Sequence, residues 1–332
     1  MWMIDNRTAY AAERTWVRDK TGAHHWIVAV RATFAIGERG ALSVADEQVP
    51  PREVAEYSGE AGKSSLKYEA DLGPMKPGTD LTVLGSAYTP HGRPATNVIA
   101  GFRIGNVRKA IQVFGERVYF PGLLGVGISR PVPFIKQPIR YEAAYGGTDT
   151  SDPNPARHVR DGRNPIGCGV AKNARTLVDQ QAHTLEYPGT DPAKAGPAGF
   201  GPIASYWSPR REYAGTYDER WKKHRKPLLP DDYDERFALC APRDQQFHRY
   251  LRGGELLELA NLTPAGVLRV TLPDITLLFA TRINGRTEQH VGQLVSVIVE
   301  PDDGRLSLVY QSSLAVRAHE ADYLDVTRVS EA

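Results

Sequence analysis

The residues with the most chemical potential lie between Trp207 and Gln246. Aromatics, prolines and acids alternate there: Trp207-Ser208-Pro209-Arg210, Tyr217-Asp218, Trp221, Asp231-Asp232-Tyr233-Asp234 and Asp244-Gln245-Gln246. Asp231, Asp232 and Asp234 resemble a metal-binding acidic cluster. They follow Pro230, however, where Asp commonly closes turns, and the spacing lacks the glycine and distal glutamate of a calcium loop. Turn chemistry is the expected role, and no metal site is predicted. A glycosidase would need two carboxylates at a set separation. Asp218, Asp231 and Asp244 are the candidates, in a groove lined by Trp207, Tyr217 and Trp221. The same aromatics beside Arg210 are also the types that protein interfaces use as hot spots, and packing of these rings within the loop's own core weighs ahead of either direct contact.

Other chemistries find less support. His24-His25 opens a strand, where neighbouring side chains point to opposite faces, so a shared metal is not expected. Gly122-Leu123-Leu124-Gly125-Val126-Gly127 matches neither the phosphate-loop nor the dinucleotide template, and no βαβ unit surrounds it. No Gly-x-Ser-x-Gly or His-Glu-x-x-His occurs. Cys168 and Cys240 sit in no nucleophile motif and lack metal-type spacing; they read as reduced thiols, with a single bridge as the alternative. No catalytic residue and no cofactor is assigned.

These residues need a scaffold, and composition bounds it. The 332-residue chain is 41% hydrophobic and 24% charged, ordinary values for a globular protein. Gly 31 and Pro 24 imply frequent turns and few long helices. Lys+Arg 41 against Asp+Glu 39 gives no electrostatic argument for nucleic acid or an anionic membrane. Met1-Trp2-Met3-Ile4-Asp5-Asn6-Arg7 lacks the order of a signal peptide, and no run of about 18 apolar residues exists. A cytosolic location is expected.

Strands are predicted at 25–36, 41–44, 80–88, 98–104, 107–114 and 117–120, with tight turns at Gly105-Asn106 and Gly115-Glu116. Residues 51–72 read as a long loop and 173–182 as a possible short helix. Further strands are expected at 256–259, 267–272, 276–283, 286–291, 295–299 and 305–310, joined by turns at Asn284-Gly285 and Pro301-Asp302-Asp303-Gly304. The predicted fold is mainly β, a sandwich-like β scaffold with a long ordered Pro/Gly-rich loop region. One domain spans 1–332. Its strand-rich parts, 20–120 and 248–332, flank a loop-rich ordered region at 121–247. Within 207–246 neither an amphipathic helix nor a long strand fits.

An ordered set of motifs closely resembles one family, the domain-of-unknown-function 2169 family of type VI secretion adaptors found beside PAAR-tip proteins and toxic effectors. The set is Lys76-Pro77-Gly78-Thr79-Asp80, Gly85-Ser86-Ala87-Tyr88, Pro133-Phe134, Tyr141 to Gly147, Asn164-Pro165-Ile166-Gly167-Cys168-Gly169, Pro197 to Pro202, Trp207 to Gln246, and Gly253-Gly254-Glu255. One departure is Gln293-Leu294-Val295-Ser296, where the family would have an Asp-Thr pair. The resemblance implies a non-enzymatic cytosolic adaptor or chaperone. Its partner would be a PAAR-containing effector or spike protein, which it helps load onto the spike. Trp207, Arg210, Tyr217 and Trp221 are the candidate partner-binding residues. Lys76, Asp80, Gly146, Gly147, Asn164, Pro165, Gly167, Asp218, Asp231, Asp244 and Gln245 are the structural set. Within it, Asp80, Asp218 and Asp244 are expected to accept loop N–H groups. The rival class is a carbohydrate- or peptidoglycan-active enzyme using paired carboxylates. A spike component is disfavoured by the absence of fibre-like repeats.

Overall fold

The computed structural model of the chain describes residues 2–123 and 125–332. Met1 and Leu124, the latter within the glycine-rich stretch 122–127, lie outside the described residues. Strands hold 42% of the chain and helix 14%, so the fold is mainly β.

The largest sheet has seven strands. Its spine is His24–Ile36 paired antiparallel with Arg305–Val316, which pairs in turn with Gln293–Glu300. Thr79–Val83 adds parallel to Gln293–Glu300, and Gln246–Phe247 closes that side. Ala11–Arg18 and Leu42–Val44 both pair with His24–Ile36. Trp26 to Phe34 are buried without a break, as a strand covered on both faces demands.

A five-stranded antiparallel sheet runs in the order Leu185–Glu186, Val107–Phe114, Asn97–Ile104, Leu256–Ala260, Val267–Thr271. Here burial alternates: Val98, Ala100, Phe102 and Ile104 face the core while Asn97, Ile99 and Arg103 face outwards. A four-stranded sheet joins Met3–Asn6, Leu324–Glu331, Leu277–Ile283 and Arg286–Val291. One apolar core runs through all three sheets, from Val28, Leu81 and Leu306 through Phe102, Ile111 and Leu257 to Phe279 and Val329. The strand-rich N- and C-terminal parts therefore share both sheets and core.

Turn chemistry sets the hairpins. Ile283 opposes Arg286 across Asn284-Gly285, with φ of 47° and 75°, a type I′ turn. Ile104 opposes Val107 across Gly105-Asn106, and Glu300 opposes Arg305 across Pro301 to Gly304.

Several expectations need correction. The 80–88 strand is two, Thr79–Val83 and Ser86–Tyr88: Leu84 N–H ends the ladder at the Val299 carbonyl, and the chain then bends at Gly85, whose carbonyl takes Ile139 N–H from a different strand partner. The strand predicted at 117–120 begins at Tyr119 and pairs with Gly125–Ile128. Gly115-Glu116 is not a hairpin turn, since Phe114 N–H goes to Thr184 and Gly115 N–H to Thr96. Residues 173–182 form only a 3-10 turn at Ala174–Leu177 under an Asn173 cap, after which Asp179 at φ 65° breaks the chain direction. Within 51–72 a small hairpin forms between Glu56–Tyr57 and Leu66–Tyr68. Helix does occur in the segment read as free of it: Glu219–His224 is α-helical.

Candidate functional site

The region from Trp207 to Gln246 is ordered from within and fastened to the sheets. Trp207 is fully buried, edge-on to Tyr141 with ring centroids 5.6 Å apart. Arg210 is also buried and acts as a bracket. Its Nε donates to the Phe237 carbonyl at 2.8 Å and Nη1 to Ile203 at 3.0 Å, and its guanidinium pairs with Glu69. Both were candidate contact residues. Neither is accessible to a partner, because the core and the loop carbonyls already occupy them.

Tyr217 is exposed and Trp221 beside it is half-buried. Asp218 accepts Trp221 N–H at 2.8 Å and so caps the helix Glu219–His224. The Trp221 ring sits edge-on to Tyr217 at 4.7 Å, and its Nε1 donates to the Leu228 carbonyl at 2.8 Å. Arg225 donates to the Leu229 and Lys20 carbonyls and pairs with Asp231 at 3.0 Å. This helix and the loop after it are thereby clamped to the turn between the strands Ala11–Arg18 and His24–Ile36. Tyr217 remains 50% exposed on that clamp.

A cleft of about 600 Å³ opens beside it, lined by Thr216, Asp218, Arg220, Trp221, His224 and Asp231 among others. Asp218 and Asp231 thus share one cleft, whereas Asp244 lies elsewhere, against Lys109. Of the three clustered acids, Asp232 and Asp234 serve turns, whereas Asp231 only pairs with Arg225. Asp232 accepts Thr216 N–H and hydroxyl at 2.9 and 2.7 Å, which holds its carboxyl below the ordinary range. Asp234 caps Glu235–Ala238, and its bonds to Arg236 lower it likewise. Among the described residues no group of three or more His, Cys, Asp or Glu is placed to hold a metal.

Apart from Asp218 and Asp231 at the cleft, the structural set gathers into two largely buried knots, with Asp244 exposed at the rim of the first. In the first, Lys76 Nζ donates to Asp80 at 2.9 Å and to Ser296 at 2.8 Å. Asp80 in turn accepts Cys240 N–H at 2.7 Å and Ala241 N–H at 3.2 Å. Burial works against the Lys76 charge, but Asp80 overrides it and the ammonium is raised above its ordinary range. Gln245 donates to Leu81 and Phe200 carbonyls at 2.7 and 2.9 Å and accepts Lys109 Nζ at 2.9 Å. Asp244 departs from its expected role: it pairs with the Lys109 ammonium at 2.9 Å rather than accepting a loop N–H. Burial outweighs that partner and brings Lys109 down to about 8.

In the second knot, Asn164 Nδ2 donates to Tyr141 and Tyr145 carbonyls at 2.7 and 3.1 Å, and Gly147 N–H donates to the Asn164 carbonyl at 2.7 Å. A Cβ on Gly146 would stand 2.2 Å from the Asn164 carbonyl oxygen, and one on Gly167 would stand 2.3 Å from Asn164 Nδ2. The Pro165 carbonyl accepts the Thr148 hydroxyl at 2.8 Å. These glycines and the asparagine are one packing solution.

Nucleophile chemistry finds no opening in the thiols. Both cysteines are free, and burial raises Cys168 to about 11 and Cys240 further. One arrangement escaped the sequence reading, because its members are 288 residues apart. His25 Nδ1 lies 3.0 Å from Ser313 Oγ, and its Nε2 lies 3.2 Å from Asp19. In acyl-transfer triads the carboxylate holds Nδ1 and the hydroxyl meets Nε2. Here the nitrogens are exchanged. Asp19 also accepts Thr21 and Ala23 N–H at 2.8 and 3.0 Å, so the chain fastens the 19–23 turn.

No helix among the described residues is long and apolar enough to cross a membrane. No curated protein and no solved structure gives a significant match. A family model described as an uncharacterized protein conserved in bacteria matches residues 21–311, far more than half of the chain. The chain therefore belongs to the DUF2169 family.

Proposed function

We propose that the chain is a non-enzymatic adaptor that binds a PAAR-containing effector in the cytosol and helps load it onto a type VI secretion spike. The motif resemblance suggests the class of partner, while the matching family model is described only as uncharacterized. The observation that carries the reading is Tyr217, half-exposed and braced by Trp221 on a clamped loop. A rigid aromatic presented at low entropic cost is what a binding hot spot uses. The enzyme alternative asks for two free carboxylates, one kept protonated by apolar surroundings. Asp218 is taken up as a helix cap, and Asp231, 69% exposed, is paired with Arg225. Both arrangements favour the adaptor.

The experiment is pull-down by the purified effector encoded beside this chain's gene, comparing wild type with Tyr217→Ala. Losing one hot spot costs ~2 kcal/mol, about a 30-fold weaker complex. Because Tyr217 is exposed, its melting curve stays with the wild type. Wild type that captures no neighbouring PAAR, spike or toxin protein contradicts the adaptor reading. Tyr217→Ala bound as tightly as wild type moves the contact elsewhere.

A further inference from the structure

The five-stranded sheet has one face in the core and one uncovered. On the uncovered face the register builds two parallel rows across four strands. Ala110 opposes Gly101, Gly101 opposes Ala260, and Ala260 opposes Val267. Two residues along, Arg108 opposes Arg103, Arg103 opposes Glu258, and Glu258 opposes Arg269. The first row is a floor with almost no side chain. A Cβ on Gly101 would meet the Lys109 carbonyl oxygen at 2.5 Å, so the backbone itself keeps the floor bare there. The second row is a charged wall, and Ile99, 52% exposed, stands on the opposite side. The trough between them has a volume of about 580 Å³. Val267 at its end is 55% exposed and Leu256, beyond the arginine row, 46%. Large apolar side chains gathered on an open sheet face mark a contact surface rather than scattered exposure.

The charges say what kind of contact. Arg103 and Arg269 share a single glutamate, Glu258, at its two oxygens. Arg108 is exposed, with no ion-pair partner among the described residues. Three arginines to one glutamate leave this face as positive as the whole chain, whose net charge is +2. The shape adds the rest. Four strands at about 4.8 Å spacing make a trough about 14 Å long, the length of roughly ten helical residues at about 1.5 Å each. A bare floor lets a helix backbone approach closely.

We propose that this face docks an acidic amphipathic helix of the partner protein, its apolar side on the Ala110–Ala260 floor and its carboxylates against Arg108, Arg103 and Arg269. The inference rests on the adaptor reading and adds a second contact to the one at Tyr217.

The test measures affinity of the purified adjacent effector for wild type, Ala110→Trp and an Arg108→Glu/Arg269→Glu double variant. All substituted positions are exposed, and melting curves accompany each. Both variants are expected to bind at least ~10-fold more weakly, as the loss of a central contact or a reversed charge does. Wild-type affinity falls between about 50 mM and about 300 mM salt, and the double variant flattens that dependence. A photo-crosslinker placed at Ala260 is expected to label a helical, acid-rich segment of the effector. Wild-type binding with both folded variants within twofold of it overturns the trough while leaving the adaptor standing. A crosslink to a basic or extended segment also overturns it. Should Ala110→Trp fold poorly, the exposed charge variant decides alone. No binding by wild type takes down the adaptor reading and the trough with it.

Discussion

Replacing Asp80 by alanine should unfasten the loop region from the largest sheet. Asp80 is 1% exposed and bonds three donors: Lys76 Nζ at 2.9 Å, Cys240 N–H at 2.7 Å and Ala241 N–H at 3.2 Å. Removing one partner of a buried ion pair costs about 3–5 kcal/mol. The two orphaned N–H groups add about 1–3 kcal/mol each where water cannot reach them. A loss of ~5 kcal/mol is thus a conservative expectation, against a typical total of about 5–15 kcal/mol. With ~2.1 cal/mol/K per residue, a chain of this length would melt about 7 °C lower. The assay is denaturant unfolding of wild type, Asp80→Ala, Lys76→Met and the double variant. The double variant should be more stable than Asp80→Ala, since no ammonium is left unpaired, yet weaker than wild type by the orphaned N–H groups. An Asp80→Ala loss below ~1 kcal/mol, or a double variant no more stable than Asp80→Ala, refutes the reasoning.

Three further perturbations have definite signs. Gly167→Ala puts a Cβ 2.3 Å from Asn164 Nδ2 and should destabilise by ~2 kcal/mol or more; Gly73→Ala, with open space around it, should be neutral in the same melts. Arg210→Ala leaves Glu69 partly buried and unpaired, so its melting temperature should drop, and any lost binding should track unfolding rather than precede it. Burial holds His290 down at about 4 against an ordinary 6.5. The unfolded chain then takes up the proton first, so this stability is present above about pH 6.5 and is lost as pH falls towards about 4. Wild type minus His290→Gln, followed by unfolding across that range, should show the slope; equal slopes would contradict it.

What was legible in the sequence was local. Asn284-Gly285 specifies a type I′ turn by its own backbone preferences, and the alternating pattern of 97–104 follows from one buried face. The missed elements depend on distant partners. Met3–Asn6 pairs with Leu324–Glu331, more than three hundred residues away, and no local pattern announces that. Ala11–Arg18 is half-buried along its length as an edge strand, so its sequence lacks a clean alternation. Gly115-Glu116 looks like a turn that would pair 117–120 with 107–114, but Phe114 and Gly115 bond elsewhere and the strand pairs with Gly125–Ile128. The site shows the same division. Composition groups Trp207, Arg210, Tyr217 and Trp221 together, yet only tertiary packing separates buried Trp207 and Arg210 from half-buried Trp221 and exposed Tyr217. The arginine row needed the register of four strands before Arg103, Arg108 and Arg269 could be seen as one feature.

The most direct test of the account is delivery of the effector by living cells. In a strain lacking this chain, a PAAR-containing effector encoded beside it should, on the proposed function, be made but not secreted. Wild-type chain should restore its secretion, and folded Tyr217→Ala should restore it poorly. Secretion that proceeds unchanged without the chain would contradict the adaptor account.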